Sequence, residues 1–193
     1  SLVVLSGSEP NGTTDDYYPR LCEALSGEAR SLLIDTSGAA LARLSKGDLR
    51  HRPFVLRMDQ GEAEALAGHA LPSCAETRDF ARGLTSRGVA EVLIIARGAE
   101  GSVMWANDQG WFANAAKVKV VSRVGAGDSF MGGFTLALAQ GLPLDQALSH
   151  GAAAASAAVS SEANRPSRCS SIASSVSLFC INPSNTVACW EKP

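Results

Sequence analysis

Val124-Gly125-Ala126-Gly127-Asp128, running directly into Ser129-Phe130-Met131-Gly132-Gly133-Phe134, is the stretch on which the reading of this chain turns. A β-type run, Lys117-Val118-Lys119-Val120-Val121, precedes it, and an apolar, helix-forming stretch follows. Two glycines separated by one alanine leave backbone N–H groups able to point at an anion. A helix that starts there adds a partial positive charge at its N-terminus. Asp128 lies inside this anion site, where a carboxylate should repel what the site attracts. The placement makes chemical sense if Asp128 takes a proton from a hydroxyl beside a phosphoryl group in transfer. The plainer alternative is a first-turn acid that favours the helix dipole, after glycines that only make a tight strand-to-helix turn.

Outward from this segment, short apolar runs alternate with helical patterns. Strands are predicted over 2–5, 31–34, 54–58, 92–96, 102–105 and 117–122. Helices are predicted over 15–25, 39–44, 62–67, 76–86 (closed by Gly88), 128–139 (closed by Gly141) and 144–159. The order implies an α/β fold, with a largely parallel sheet covered by helices on both faces. Ligands of such sheets sit at the carboxyl ends of the strands, where the glycine turns after Leu5, Ala96 and Val121 would gather. Near Ser160 the composition shifts to Ser and Cys and the periodicity fades. Residues 1–160 are therefore read as part of one folded domain and 161–193 as an irregular tail. That tail is either flexible or a break in the original reading frame.

The 193 residues suffice for one domain with a sizeable core. A net charge of −2 speaks against nucleic-acid or anionic-membrane partners. No apolar run is long enough to span a bilayer. The five cysteines are odd in number and show no C-x-x-C spacing, which argues for a reducing, cytoplasmic setting rather than a disulfide framework or zinc site. The three histidines form no ligand pattern. The chain opens on Ser1 inside a strand, so it reads as a piece of a longer protein.

The Gly125–Asp128 segment with its apolar helix resembles the second signature of the PfkB carbohydrate kinases, in the ribokinase-like superfamily. Leu5-Ser6-Gly7-Ser8-Glu9-Pro10-Asn11-Gly12 resembles that family's L-S-G-S-L-P-x-G loop, with Glu9 in place of Leu. Ile34-Asp35-Thr36-Ser37-Gly38 resembles its D-T-S-G segment, and Arg57-Met58-Asp59-Gln60-Gly61-Glu62 lies where the family has K-P-N-x-x-E. Gly98-Ala99-Glu100-Gly101 matches its G-A-E-G turn, and Gly151 to Ala158 looks like its Gly/Ala-rich closing helix. Five motifs in family order carry more weight than a lone G-A-G-D.

The resemblance implies a three-layer ribokinase-like fold, incomplete at the N-terminus, and ATP-dependent phosphorylation of a sugar-phosphate hydroxyl. It favours the 1-phosphofructokinase, 6-phosphofructokinase and tagatose-6-phosphate kinase branches. Asp128 would be the base, and the N–H groups of Gly125, Ala126 and Gly127 the anion hole. Glu62 and Asp59 would organise Mg²⁺ through water. Arg97, Gly98 and Gly101, with Gly125 and Gly127, would approach the nucleotide phosphates. Ser8 would sit by the sugar substrate, Arg57 could keep a cationic phosphate contact, and Arg123 could crowd the nucleotide. Trp105 and Trp111 flank a loop that could border adenine. Structural alternatives stand beside each: a solvated helix acid for Glu62, a simple β-turn for Gly98 and Gly101, and a turn serine for Ser8.

The family's N-terminal half supplies most sugar contacts and a lid that also mediates dimerisation, so the intact protein is expected to be a homodimer and this chain alone weakly active or inactive. A competing expectation is a catalytically incomplete nucleotide-binding fragment or degenerate remnant, for which Glu9, Asp59, Arg123 and the tail speak. A dinucleotide-binding Rossmann enzyme and a P-loop NTPase are set aside, because neither G-x-G-x-x-G after the first strand nor G-x-x-x-x-G-K-[ST] is present.

Overall fold

A computed structural model describes residues 2–10, 12–26, 31–47 and 49–160, together with the backbone of Leu178–Ile181 and Val187–Cys189. The chain divides into two compact units, Ser1–Ala96 with Val103–Gly110, and Arg97–Ser102 with Trp111–Pro193.

In the first unit, β1 (Leu2–Ser6), β2 (Ser31–Asp35), β3 (Val55–Asp59) and β4 (Val92–Ala96) form a parallel sheet in sequence order. The register aligns Leu33 with Val55 and Val55 with Val92, all three inaccessible to solvent. Continuous apolar runs such as Val92-Leu93-Ile94-Ile95 form these strands because both faces of a parallel sheet are covered. Helices α1 (Tyr17–Ser26), α2 (Gly38–Leu44), α3 (Gln60–Ala67) and α4 (Cys74–Ser86) supply the cover, through Cys22, Leu41, Ala63, Ala81 and Leu84. Reciprocal capping boxes open α3 (Asp59 with Glu62) and α4 (Ser73 with Glu76).

Cys22 faces this core, and burial pushes its thiol up to about 11. Almost no thiolate then exists at neutral pH. Cys22 is expected to stay unlabelled by a disulfide-exchange reagent in the native protein and to label on unfolding. Peptide mapping that finds it modified rapidly under native conditions would contradict this.

Strand β5 (Gly101–Ala106) leads to β6 (Gln109–Asn114) through Asn107 and Asp108, both at positive φ, 49° and 57°. Asn and Asp tolerate that conformation and make a two-residue hairpin turn. Strand β6 is not among the strands expected from the sequence pattern. Trp105 is accordingly a core residue of the first unit, 4% exposed, with the Arg82 guanidinium 5.9 Å from its ring, rather than a loop residue beside a nucleotide.

In the second unit, α5 (Ala126–Ala139) and α6 (Leu144–Val159) pack closely. A methyl at Gly133 would lie 2.7 Å from the Ala154 Cβ, and one at Gly151 would lie 3.0 Å from the Phe130 ring. Both glycines therefore set the helix spacing. The expected strand over 117–122 does not form. Its backbone instead runs along α6, with the Val121 N–H donating to the Val159 carbonyl at 2.7 Å, and Val120 and Val121 about half exposed. Alternating Lys and Val gave the run its β character, but the end of α6 supplies its hydrogen-bond acceptor.

The expected tail falls mostly outside the described residues. It is not wholly irregular, because β7 (Leu178–Ile181) and β8 (Val187–Cys189) pair antiparallel, with Phe179 opposite Cys189.

Candidate active site

The sequence-predicted site residues fall into two groups, one in each unit. In the second unit, Gly125 is the N-cap of α5 at φ 79°, ψ 3°, a left-handed conformation that glycine adopts without strain. As a glycine it has no side chain with which to cap this end. The first bond of the helix is Ser129 N–H to the Gly125 carbonyl at 2.9 Å. The Ala126 N–H still donates to the Arg123 carbonyl, at 3.4 Å, whereas the Gly127 N–H lies in the first turn, whose amides have no partner within the helix. Asp128 lies in that turn with its side chain exposed. This is what an anion site with an adjacent proton acceptor requires.

The turn from Arg97 to Gly101 also belongs to the second unit. Gly98 is at φ 58° and has open space where a side chain would be. Gly101, at φ 134°, is different: a methyl there would fall 2.1 Å from the Ala113 carbonyl oxygen. Its lack of a side chain is required by its own chain, whatever it does for a ligand. The Arg97 side chain is fully buried, and its Nε and Nη2 donate to Glu100 at 3.0 Å. Its charge is thus paired with Glu100 inside the turn.

In the first unit, Ser8, Asp35, Arg57, Asp59 and Glu62 lie toward the carboxyl edge of the sheet. Ser8 is exposed in the loop after β1. Asp35 ends β2 and accepts from Arg57 Nη1 of β3 at 2.8 Å, the two side chains being 14% and 11% exposed. The Arg57 guanidinium thus holds Asp35, which the sequence reading had not paired with it. Asp59 and Glu62 follow. Each carboxylate accepts the other's backbone N–H at 2.8 Å, which engages one oxygen of each. Burial pushes the Glu62 carboxyl above the ordinary glutamate range, and the charges of Asp59 and Asp35 push the same way; the backbone hydrogen bond from Asp59 and the Arg57 cation oppose this. Among the described residues, no group of three or more His, Cys, Asp or Glu side chains is placed to hold a metal unaided. A cavity of about 320 Å³, lined by Cys22, Arg50, His51, Arg52 and Phe54 among others, lies at the opposite, amino edge of the strands.

The raised Glu62 carboxyl fixes the sign of a stability effect. Its favourable contribution is full below the ordinary glutamate value and is lost as pH rises through the raised one. Glu62→Gln keeps an oxygen for the Asp59 N–H, so it is expected to raise the melting temperature near pH ~8 and leave it unchanged near pH ~4. A lower midpoint at the higher pH would contradict this.

Residues 1–168 match the family model described as pfkB family carbohydrate kinase. The chain is 32% identical over 161 residues to the 1-phosphofructokinase of Bacillus subtilis, covering 83% of this chain and 52% of that protein. It is 31% identical over 157 residues to the ATP-dependent 6-phosphofructokinase isozyme 2 of Mycobacterium tuberculosis, covering 81% and 45%. The crystal structure of phosphofructokinase-2 from Escherichia coli in complex with substrates and products superposes with a TM-score of 0.79 at 26% identity, covering 90% of this chain and 56% of that one. The chain spans about half the length of the curated relatives it matches. With the parallel sheet, the G-A-G-D helix start and these likenesses in hand, the chain belongs to the pfkB family of carbohydrate kinases and has its ribokinase-like α/β fold.

Proposed function

We propose that this chain carries the nucleotide-binding and base-bearing part of an ATP-dependent kinase acting on a hydroxyl of a sugar phosphate, of the 1-phosphofructokinase, 6-phosphofructokinase or tagatose-6-phosphate kinase type. The observation that carries the reading is the start of α5: a left-handed glycine N-cap with no side-chain cap, and an exposed Asp128 in the same turn. In this reading Asp128 accepts the proton of the attacking hydroxyl. The Gly125, Ala126 and Gly127 N–H groups stabilise charge on the γ-phosphoryl oxygens. Gly98 leaves room for nucleotide, and Ser8 belongs to the sugar-phosphate side.

Magnesium fits this chain only as a largely hydrated ion. Asp59 and Glu62 offer hard oxygen donors, each with one oxygen outside the capping box; burial chiefly raises Glu62, and a cation would offset the lesser push from the Asp59 and Asp35 charges. When bound, the ion would neutralise phosphate charge, and these two residues would hold its water.

The intact protein is proposed to be a cytoplasmic homodimer with sugar phosphate and ATP as its small-molecule partners, without nucleic-acid or membrane binding. Among the described residues no helix is long and apolar enough to cross a membrane. A second reading, an incomplete or degenerate nucleotide-binding fragment, is favoured by the internal pairing of Arg57 and Arg97, which leaves those cations held by Asp35 and Glu100. A coupled ADP-release assay with Mg·ATP and fructose, tagatose and ribose phosphates separates the two. Sugar-dependent ADP release supports the kinase, whereas nucleotide binding without turnover supports the fragment.

A further inference from the structure

We propose that the Glu9–Arg43 ion pair is a positioning device for the Ser8 loop, and so for the sugar-phosphate end of the site; the proposal rests on the phosphosugar-kinase reading above. Glu9 stands where the matching family loop has Leu. Its Oε2 accepts from Arg43 Nη2 in the last turn of α2, and the two side chains are 15% and 25% exposed. Arg43 Nη1 lies 3.2 Å from Asp15 Oδ1. One guanidinium thereby holds the loop between β1 and α1 at two places, Glu9 and Asp15.

Stability does not account for this pair. Glu9 Oε1 is buried and has no hydrogen-bond partner among the described residues. Taking a carboxylate out of water with one oxygen unsatisfied is costly, and a leucine of similar size would bury with no such cost. What the pair supplies is geometry, because a planar guanidinium fork fixes both the distance and the direction of its partner. Ser8 lies between two anchors to the same neighbouring segment. On one side the Gly7 N–H donates to the Asp35 carbonyl at 2.9 Å, and on the other Glu9 is held by Arg43. The buried Tyr18 hydroxyl adds a third link, donating to Thr36 Oγ1 at 3.0 Å. Arg43 thus acts on Ser8 through Glu9.

The test compares Glu9→Leu, Arg43→Ala and the double variant with the original chain. The readouts are thermal unfolding, amide exchange of residues 6–16 by mass spectrometry, and separate calorimetric titrations with fructose 6-phosphate, fructose 1-phosphate and ATP. Arg43→Ala alone is expected to melt lower, because it leaves a buried carboxylate without its cation. The double variant is expected to melt at or above the original. It should nonetheless exchange faster over 6–16 and bind sugar phosphate about tenfold more weakly. ATP affinity is expected to stay within about twofold. A purely structural pair would not separate melting from affinity in this way. Unchanged exchange over 6–16 in the double variant overturns the proposal whatever the affinities show, and so does unchanged sugar-phosphate affinity. If the original chain binds neither sugar phosphate while exchange still rises in the double variant, the substrate reading fails and the positioning device stands.

Discussion

Replacing Asp128 by Asn is expected to slow sugar-phosphate phosphorylation by about 10²- to 10⁴-fold, the usual contribution of a positioned general base. Asn has nearly the same shape, so the helix start with its Gly125 cap remains. Nucleotide binding is expected to hold or tighten, because a negative charge is removed from beside the phosphates. The effect should fall on kcat, as it does for an interaction made mainly in the transition state. The comparison should be made in whatever form of the protein shows sugar-dependent ADP release. Equal rates for the two proteins would remove Asp128 from the chemistry. A large loss of ATP affinity would instead mark it as a binding or structural residue.

The largest expected effect on stability is at Gly101. A residue with a side chain at φ 134° is strained by about 1–3 kcal/mol. Its Cβ would also have to clear the Ala113 carbonyl, 2.1 Å away in the present backbone. Forcing that contact apart adds about 1–3 kcal/mol or more, less the roughly 0.5–1 kcal/mol that any Gly→Ala change recovers from the unfolded chain. Gly101→Ala is thus expected to destabilise by about 3 kcal/mol within a range of roughly 1–5, a large share of a typical total, and to lower the midpoint by about 10 °C. Gly98→Ala is the control. At φ 58° with nothing within 4 Å, it should cost only about 1–2 kcal/mol. Similar midpoints for the two variants would show that the close approach at Gly101 relaxes easily.

Much of the fold was legible because the signals were local. Val92-Leu93-Ile94-Ile95 could be little other than a buried strand, and Leu144 to Val159 reads as helix over its full observed length. The start of α3 at Gln60 was missed by two residues, although Asp59 and Glu62 have capping-box spacing. Strand β6 was missed because Gln109-Gly110-Trp111 lacks a strand's alternation and only the Asn107-Asp108 turn announces it. The error at 117–122 came from reading side-chain alternation without knowing where the backbone would find partners.

The candidate site was less legible, because its roles depend on pairings between distant residues. Asp35 and Arg57 are 22 positions apart and Glu9 and Arg43 are 34, and nothing in either local sequence indicates the other. Arg97 shows the opposite case. Its partner Glu100 is three residues away, so that pair is within reach of the local sequence.

The contact between α5 and α6 bears on how loss of function should map genetically. The first turn of α5 carries the amides proposed to bind the anion, and the same helix rests on α6 where Gly133 leaves no room for a methyl beside Ala154. Enlarging a small residue at that contact would tilt the amides without touching them. In a saturation screen, inactive alleles should therefore cluster at two sets of positions, the Gly125–Asp128 turn and the small residues Gly133, Gly151 and Ala154. The second set would look like a remote regulatory site to anyone scoring by distance from the chemistry, although its effect is only one of helix spacing.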